Sequence, residues 1–385
     1  MHFHYISPSI LPSRAANSVH VVWQCDGLSR LGADVTLYAK RAMPESQQLA
    51  QALDAAYGIR SSTLRLETVY GASGRGTSLH IAYHAVRKIL NGGRNDAVLS
   101  RNLYAAFALA VLYRIPLLFE THQLETGFRK WMQRLIIRCP WVTTIVISNH
   151  LADYLTQHLG VAPRRSLVLH DAAPEGIHPV PMAERRSRLC ALVEIARGPW
   201  KQVCGYFGHL YAGRGIEVVE AMAAACPEVL FLVYGGSEAD LAVRRQNASR
   251  QANLVFMGHV PHPAARELMC LMDVLLMPYQ ESVSIGVAGH DTARWMSPMK
   301  MFEYLGAGVP IISSDLPVLR EVLRDGHNCL LAPPSDAGAW VAALARLGND
   351  PELAARVGAT AHTQYEQQHT WTRRAERILA AAGQL

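Results

Sequence analysis

The 385-residue chain contains no run of about eighteen apolar residues, so no helix is expected to cross a membrane. Its seven cysteines include no CxxC pair and no metal-ligand spacing, which excludes a cysteine-based zinc site and fits reduced core residues of a cytosolic protein. The seventeen histidines form no HExxH motif, and no metal is expected. The first loop lacks GxGxxG, which disfavours a nicotinamide oxidoreductase. Met1-His2-Phe3-His4-Tyr5-Ile6 has neither the basic region nor the long apolar region of a signal peptide. No internal repeat suggests a solenoid. The basic residues are dispersed and form no reader motif, so nucleic acid is not an expected partner.

Half of the residues are hydrophobic, 50%, enough for two cores in a chain too long for one ordinary domain. Charge is lopsided. Residues 1–180 carry 18 Lys and Arg against 11 Asp and Glu, and the rest carries 19 against 20. A basic amino-terminal half points to an anionic partner, such as phospholipid head groups or a lipid-linked phosphate, or to a plain solvated surface. Arginine greatly outnumbers lysine, a bias that reflects genome composition and carries little weight.

In chain order, Phe3–Ser7 reads as a strand, Pro8–Asn17 as a loop and Ser18–Leu31 as a helix stopped by Gly32; Asp34–Ala39 returns as a strand. This β-loop-α-β opening begins a doubly wound sheet. Strands at 97–100, 116–120, 143–147 and 167–169 follow, with helices near 103–113, 128–138 and 150–159. Residues 174–200, with several prolines and a charged run, read as a linker that contains at most a short helix. A second sheet takes strands at 202–207, 229–234, 254–257 and 274–277. Its helices fall near 214–225, 238–248, 263–271 and 317–324, with later ones at 336–347, 351–367 and 371–382. Two successive units of this kind imply a cleft, with ligands beyond the carboxyl ends of the strands.

The second unit holds the stretch with most chemical content. Ser297-Pro298-Met299-Lys300-Met301-Phe302-Glu303-Tyr304-Leu305-Gly306-Ala307-Gly308-Val309-Pro310 reads as turn, helix, turn and strand, with Ser297 as N-cap and Pro298 at the first helical position. A helix N-terminus offers free N–H groups and partial positive charge, a natural seat for phosphate oxygens. Glu303, one turn in, can accept bonds from a pair of ribose or sugar hydroxyls. Gly208-His209-Leu210-Tyr211-Ala212-Gly213-Arg214-Gly215 follows a strand and opens a helix. Its glycines let backbone approach a pyrophosphate, and Arg214 can bind one bidentately. Each feature alone has an ordinary reading, a surface carboxylate or a common β–α turn. Together they indicate a nucleotide-sugar site.

At these residues the chain resembles a family. Gly208…Arg214-Gly215, Gly235-Gly236, Val255-Phe256-Met257-Gly258, Asp273-Val274-Leu275-Leu276-Met277-Pro278 and Phe302-Glu303-Tyr304…Gly308-Val309-Pro310 look like family-four glycosyltransferases of the GT-B fold, specifically in the second half and more loosely in the first. The Ser-Pro-x-Lys-x-Phe-Glu-Tyr site helix is similar to one subgroup. The resemblance implies α/β architecture with two Rossmann-like domains facing across a cleft. Residues 1–175 plus 368–385 would form the acceptor-side domain, 176–200 a linker and 201–367 the nucleotide-sugar domain, with the last helix crossing back onto the first. It implies retaining, metal-independent transfer of a hexosyl group from a nucleotide diphosphate sugar, UDP-sugar by default, to a hydroxyl acceptor in polysaccharide, glycolipid or other glycoconjugate synthesis. No cofactor is implied, only the donor as co-substrate.

Carried over by resemblance, Glu303 matches the ribose-binding glutamate and Arg214 stands where the family usually has a diphosphate-binding lysine. His209 stands where an arginine is frequent. Gly208 and Gly213 shape the phosphate turn, and Ser297, Met299 and Lys300 belong to the phosphate-binding helix start. Gly258, His259 and Val260 would pass the base. His122, after Glu120-Thr121, matches the histidine near the reacting sugar carbon; its ordinary reading is a polar strand cap. The family's glycine pair is missing from Ser9–Ser18, where Arg14 or Asn17 is a substitute. The first of the family's two glutamates falls at Trp295, which leaves sugar recognition to Asp291 or His290. Two other readings remain: a nucleotide-sugar-binding partner without turnover, and a GT-B-like sugar-nucleotide epimerase. The basic, apolar segment Phe128–Arg138 fits either a membrane-surface helix or, preferably, an ordinary helix packing Trp131, Leu135 and Ile136 into the core. Placement is expected in the cytoplasm, with peripheral contact at the inner membrane face.

Overall fold

The computed structural model describes residues 1–13, 15–42, 46–59, 64–70, 76–92, 96–247, 251–284 and 291–384. The chain divides into two compact units, Met1–Ala172 with Thr370–Leu385, and Ala173–His369.

The first unit is built on β1 (His2–Leu11), β2 (Asp34–Arg41), β3 (Leu64–Tyr70), β4 (Ala97–Ser100), β5 (Leu117–Thr121), β6 (Val142–Val146) and β7 (Arg165–Val168). They form one parallel sheet in the order β3-β2-β1-β4-β5-β6-β7. β5 and β6 are buried along their whole length, as strands covered on both faces must be. β1 runs four residues beyond the expected Ser7. A register shift between Ile6 and Ile10 absorbs Pro8, which has no N–H to give to a ladder.

The helix Ala16–Arg30 lies in this unit, buried from Ser18 to Ser29. The C-terminal helix Trp371–Ala382 packs on it through Trp371, Arg374, Ala375 and Ile378, one helical stripe. Contact is close at Gly27, where a Cβ would stand 2.6 Å from the carbonyl oxygen of Trp371. Any side chain there would push the two helices apart.

The second unit is built on β8 (Gln202–Phe207), β9 (Val229–Tyr234), β10 (Leu254–Gly258), β11 (Val274–Met277), β12 (Ile311–Ser314) and β13 (Leu330–Ala332). They form a parallel sheet in the order β10-β9-β8-β11-β12-β13. In both units strand order reverses once, at β1/β4 and at β8/β11. The crevice for a ligand in such a sheet lies beyond the carboxyl ends of the strands at the reversal.

Three expectations are corrected. The stretch 176–200 is not a linker. It forms the helix Met182–Leu192 and a 3-10 turn Glu194–Arg197, and it buries Leu189, Val193 and Ala196 in the core of the second unit. Arg185 donates to the carbonyls of Val180 and Gly308, and Arg186 pairs with Asp273 at 3.1 Å. The charged run that reads as solvated therefore anchors the segment. The helix expected near 317–324 is only a 3-10 turn, Leu319–Glu321, because the Asn328 carboxamide takes the N–H of Arg324 and turns the chain toward β13. The helix expected at 103–113 is α-helical only over Leu103–Phe107 and continues as a π-turn, Ala108–Leu112.

Candidate functional site

At the β8/β11 reversal two loops meet. β8 is followed by Gly208 and the glycine turn to Arg214; β11 is followed by Pro278-Tyr279. Gly213 and Gly215 have positive φ, 80° and 77°. A Cβ at Gly213 would stand 1.8 Å from the carbonyl oxygen of Ser282, and one at Gly215 1.7 Å from that of Pro278. Only glycine lets the turn sit this close to the neighbouring backbone. The Tyr206 hydroxyl donates to the carbonyl of His209 at 2.8 Å and holds the turn from beneath.

The site helix spans Met299–Ala307. Its N-cap is Pro298 rather than the expected Ser297, and no side chain caps it. An uncapped helix start leaves its first N–H groups for another acceptor. The helix is docked by Phe302, Tyr304 and Leu305, all fully buried. Tyr304 accepts from the backbone N–H of Phe207 at 2.9 Å and donates to the carbonyl of Leu276 at 3.3 Å, tying β8 to β11. Gly308, in the left-handed region at φ 63°, ends the helix.

Two cations stand in this crevice. The Lys300 ammonium lies 4.5 Å from the ring centre of Tyr206, 4.6 Å from that of Tyr279 and 5.9 Å from that of Tyr304. Burial, followed by the charge of Arg214, holds its pKa well below the ordinary lysine range, against an upward pull from Glu303. Arg214 donates from Nη1 to the Tyr279 hydroxyl at 3.0 Å, and its guanidinium carbon lies 5.2 Å from that ring centre. Its Nε is buried without a hydrogen-bond partner among the described residues. Both cations are thus held by tyrosines rather than by carboxylates. His209 stacks on Tyr211 with ring centres 4.8 Å apart. Burial first, then Arg214, Lys300 and His259, hold its pKa below the ordinary imidazole value. Arg214 and Lys300 supply the positive field of the crevice, and burial together with this field keeps His209 neutral.

The other expected donor-side residues belong to this unit too. Glu303 is half-buried on the site helix, one turn after Met299. Gly258 ends β10 with φ 81°, its carbonyl accepts from Gly235 at 2.7 Å, and exposed His259 and half-buried Val260 follow. Asp291 is committed elsewhere. Its Oδ1 accepts from the N–H groups of Val283 and Ala293, both at 2.9 Å, and these bonds hold its pKa low against the opposing effect of burial. It pins the ends of a loop. His290 and Arg14 lie outside the described residues.

His122 belongs to the first unit, just past β5. Its Nε2 lies 2.9 Å from Glu120 Oε1, and Arg101 Nη2 lies 3.3 Å from its Nδ1. A guanidinium can only donate, so this pairing fixes the neutral tautomer with the proton on Nε2. Burial, then the charge of Arg101, push its pKa down to about 4, against the pull of Glu120. Sequence reasoning missed the network behind it. Glu120, 1% exposed, also meets His20 Nε2 at 3.0 Å and Arg374 Nη2 at 2.7 Å, while His20 Nδ1 meets Asp171 at 2.9 Å. Burial would raise the Glu120 carboxyl, but Arg374, then His20 and His122, hold it well below the usual range. The Glu120-Thr121-His122 strand end was a visible signal; Arg374, on the last helix, was not.

A cavity of about 160 Å³ opens in the first unit beyond β4, lined among others by Gly76, Ser78, Arg101, Tyr104 and Arg129. Nearby in sequence, the preferred core reading of Phe128–Arg138 is corrected. Phe128 is 70% and Trp131 48% exposed, stacked on each other at 5.1 Å, and only Ile136 of the expected trio is fully buried. Among the described residues no helix is long and apolar enough to cross a membrane. All seven cysteines are free.

Residues 18–172 match the family model described as Glycosyltransferase Family 4, and residues 201–350 the model described as Glycosyl transferases group 1. A phosphatidyl-myo-inositol mannosyltransferase of Mycolicibacterium smegmatis is 28% identical over 140 residues, 36% of this chain and 33% of that protein. A putative teichuronic acid biosynthesis glycosyltransferase, TuaH of Bacillus subtilis, is 27% identical over 123 residues, 32% of this chain and 29% of that protein. The chain thus spans about a third of the length of the curated relatives it matches. Among solved structures, Anabaena Alr3699/HepE in complex with UDP and glucose superposes with a TM-score of 0.71 at 15% identity, covering 100% of this chain and 99% of that one. Sucrose-phosphate synthase from Thermosynechococcus elongatus gives 0.73 at 17%, covering 100% and 98%.

Proposed function

This chain carries two glycosyltransferase-type domains on the GT-B plan, and we propose that it transfers a sugar, with retention, from a nucleotide diphosphate sugar to a hydroxyl acceptor. The observation that carries the reading is the β8/β11 crevice, where Lys300, Arg214 and an uncapped helix start converge without a carboxylate partner for either cation among the described residues. A diphosphate supplies the missing negative charge. Arg214, Lys300 and the first amides of the site helix stabilise it as the leaving group, the task a divalent ion performs elsewhere, so transfer is expected to be metal-independent. Glu303 accepts from the ribose hydroxyls. Gly208 and Gly213 keep the phosphate turn open, and Gly258, His259 and Val260 flank the base.

The acceptor oxygen attacks the anomeric carbon on the face from which the diphosphate leaves. The new carbon–oxygen bond forms as the bond to the phosphate oxygen breaks, and the acceptor proton passes to that phosphate oxygen. No protein nucleophile is needed. His122 is neutral in this scheme and offers a hydrogen-bonding group on the first unit, where a ligand would replace its longer bond to Arg101. Asp291 plays no part in sugar recognition while it holds the loop ends.

The first unit takes the acceptor. Arg101 and Arg129 beside its cavity favour an anionic one, and the exposed Phe128–Trp131 pair amid Arg129, Lys130, Arg134 and Arg138 fits a lipid-linked acceptor reached at an anionic membrane surface. The free cysteines fit work in a reducing compartment, at the inner face of the membrane. UDP is the expected nucleotide. Thermal-shift screening of UDP-, GDP- and ADP-sugars followed by mass spectrometry of products tests the reading. A donor-dependent shift with a sugar-extended acceptor supports it. Binding without turnover over a broad acceptor panel, or conversion of donor with no acceptor, would replace it by a binding partner or an epimerase. Unchanged turnover in Arg214→Ala would refute the site.

A further inference from the structure

A second group of convergent side chains lies at the opposite end of the first unit's sheet, where the parallel strands begin. His2 and His4 alternate with Phe3 on β1, so both project from one face. Asp96 directly precedes β4, which pairs with β1 in the register Phe3–Ala97 and His4–Val98. The result is that His2 Nδ1 and His4 Nε2 lie 3.0 and 3.1 Å from the same oxygen, Asp96 Oδ2. All three ligand atoms fall within 4.8 Å of one another.

We propose that His2, His4 and Asp96 form a binding site for a divalent transition metal of the zinc class, held by two imidazoles and one carboxylate with a further position left to water. Three observations argue for it. First, the spacing is right: ligand atoms at about 2.0–2.2 Å from a tetrahedral ion stand about 3.3–3.5 Å apart, only a few tenths beyond the present distances. Second, each ring is oriented from behind by a hydroxyl. His2 Nε2 meets Thr36 Oγ1 at 2.9 Å and His4 Nδ1 meets the Tyr38 hydroxyl at 3.0 Å, the outer-shell arrangement that fixes imidazole ligands. Third, access is graded: the His4 side chain is 7% exposed, while those of His2 and Asp96 are 26% and 25% exposed. That leaves one side of the site open to solvent.

The same unit offers a contrast. His20, Glu120 and His122 also converge. There Arg374 already occupies the shared oxygen at 2.7 Å, and Arg101 donates to His122. Two guanidinium groups exclude a cation from that cluster. Asp96 has no such partner among the described ion pairs. Imidazole with carboxylate favours zinc and its neighbours over magnesium or calcium, which prefer all-oxygen shells.

The proposal is independent of the sugar donor. The 385-residue chain is stripped with EDTA, exchanged and titrated with Zn²⁺ by calorimetry. One saturable site of micromolar or tighter affinity is expected. Asp96→Asn and His2→Gln should each weaken it at least ~100-fold, and Thr36→Val by about 10–100-fold, the usual loss for an outer-shell partner. His84→Gln, a nearby histidine paired with Glu67 at 3.2 Å, should change nothing. Co²⁺ should give a visible absorption spectrum that the Asp96 and His2 variants lose. Stripped variants are checked for wild-type melting. If Asp96→Asn misfolds, the partly exposed His2→Gln and the Thr36→Val variant decide alone. Absence of a saturable site, or affinity unchanged in the folded variants, overturns the proposal.

Discussion

Replacing Lys300 by methionine separates stability from activity. The ammonium sits among Tyr206, Tyr279 and Tyr304 with Arg214 beside it. Its pKa is depressed, first by burial, so the unfolded chain binds the proton more readily than the native one. Stability attributable to this group therefore rises with pH toward the ordinary lysine value, and at neutral pH the residue costs stability. Methionine fills a similar volume without charge. Replacing a buried charge by a packed apolar group is neutral to stabilising, by about 1–4 kcal/mol. For a unit of this size each kcal/mol raises Tm by roughly 2–4 °C. Activity should move the other way. Loss of one donor to a developing anion costs about 100- to 1,000-fold in kcat. Calorimetry adds a signature. A bound diphosphate raises the depressed lysine pKa, so in alkaline buffer nucleotide binding should take up protons in the wild type, seen as a dependence of the binding enthalpy on buffer ionisation heat, and less in Lys300→Met. Scanning calorimetry and initial rates on one preparation check the pair. A variant that is less stable yet fully active would refute the reasoning.

Glu303→Gln should raise the donor KM by about tenfold or more, since bonds to a charged acceptor are worth ~1.5–3 kcal/mol, with little change in Tm; an unchanged KM would remove Glu303 from the ribose. The His122 pKa of about 4 stands below its ordinary 6.5. The unfolded chain thus takes up this proton first, and stability should fall as pH drops from 6.5 toward 4, by about 3 kcal/mol at most. His122→Asn should flatten that slope in urea titrations, and activity between pH 5 and 8 should show no limb from this residue. Phe128→Ser with Trp131→Ser should leave stability within about 0.5 kcal/mol, because both rings are exposed, and should weaken sedimentation with anionic vesicles by about tenfold or more.

Much of the architecture was legible because its signals are local. Alternating βα units, fully apolar strands such as Val229–Tyr234 and glycine stops announce a doubly wound sheet without any long-range information. The last helix, Trp371–Ala382, is readable from Thr370, whose side chain accepts from Arg373, and from its apolar stripe. The failures have physical causes. Residues 182–197 look solvated because Arg185 and Arg186 are charged, but their partners, Gly308 and Asp273, lie about a hundred residues away. Trp131 looks like core because its helix is amphipathic, and nothing local says that its ring stacks on Phe128 at the surface. His2-Phe3-His4 escapes a search for helical metal spacing, since on a strand the shared face comes at i and i+2. Asp96 reaches them only through the register of β1 with β4.

The two units treat buried charge in opposite ways, and this decides which can receive an anion. Glu120 is surrounded by Arg374, His20 and His122, so its charge is committed to Arg374 and to holding His122 in place. Lys300 and Arg214 face aromatic rings instead. A ring holds a cation by about 0.5–2 kcal/mol, much less than a buried carboxylate partner would, and leaves its donors to an incoming phosphate. Tyr279 serves both cations, through its ring to Lys300 at 4.6 Å and its hydroxyl to Arg214 at 3.0 Å. Tyr279→Phe keeps the ring and loses the bond, so the diphosphate affinity should fall by only about three- to tenfold, the worth of one neutral-acceptor hydrogen bond. Tyr279→Leu loses both and should cost more, in affinity and in stability. Equal effects of the two variants, measured by UDP titration, would show that the aromatic face does not hold the cations.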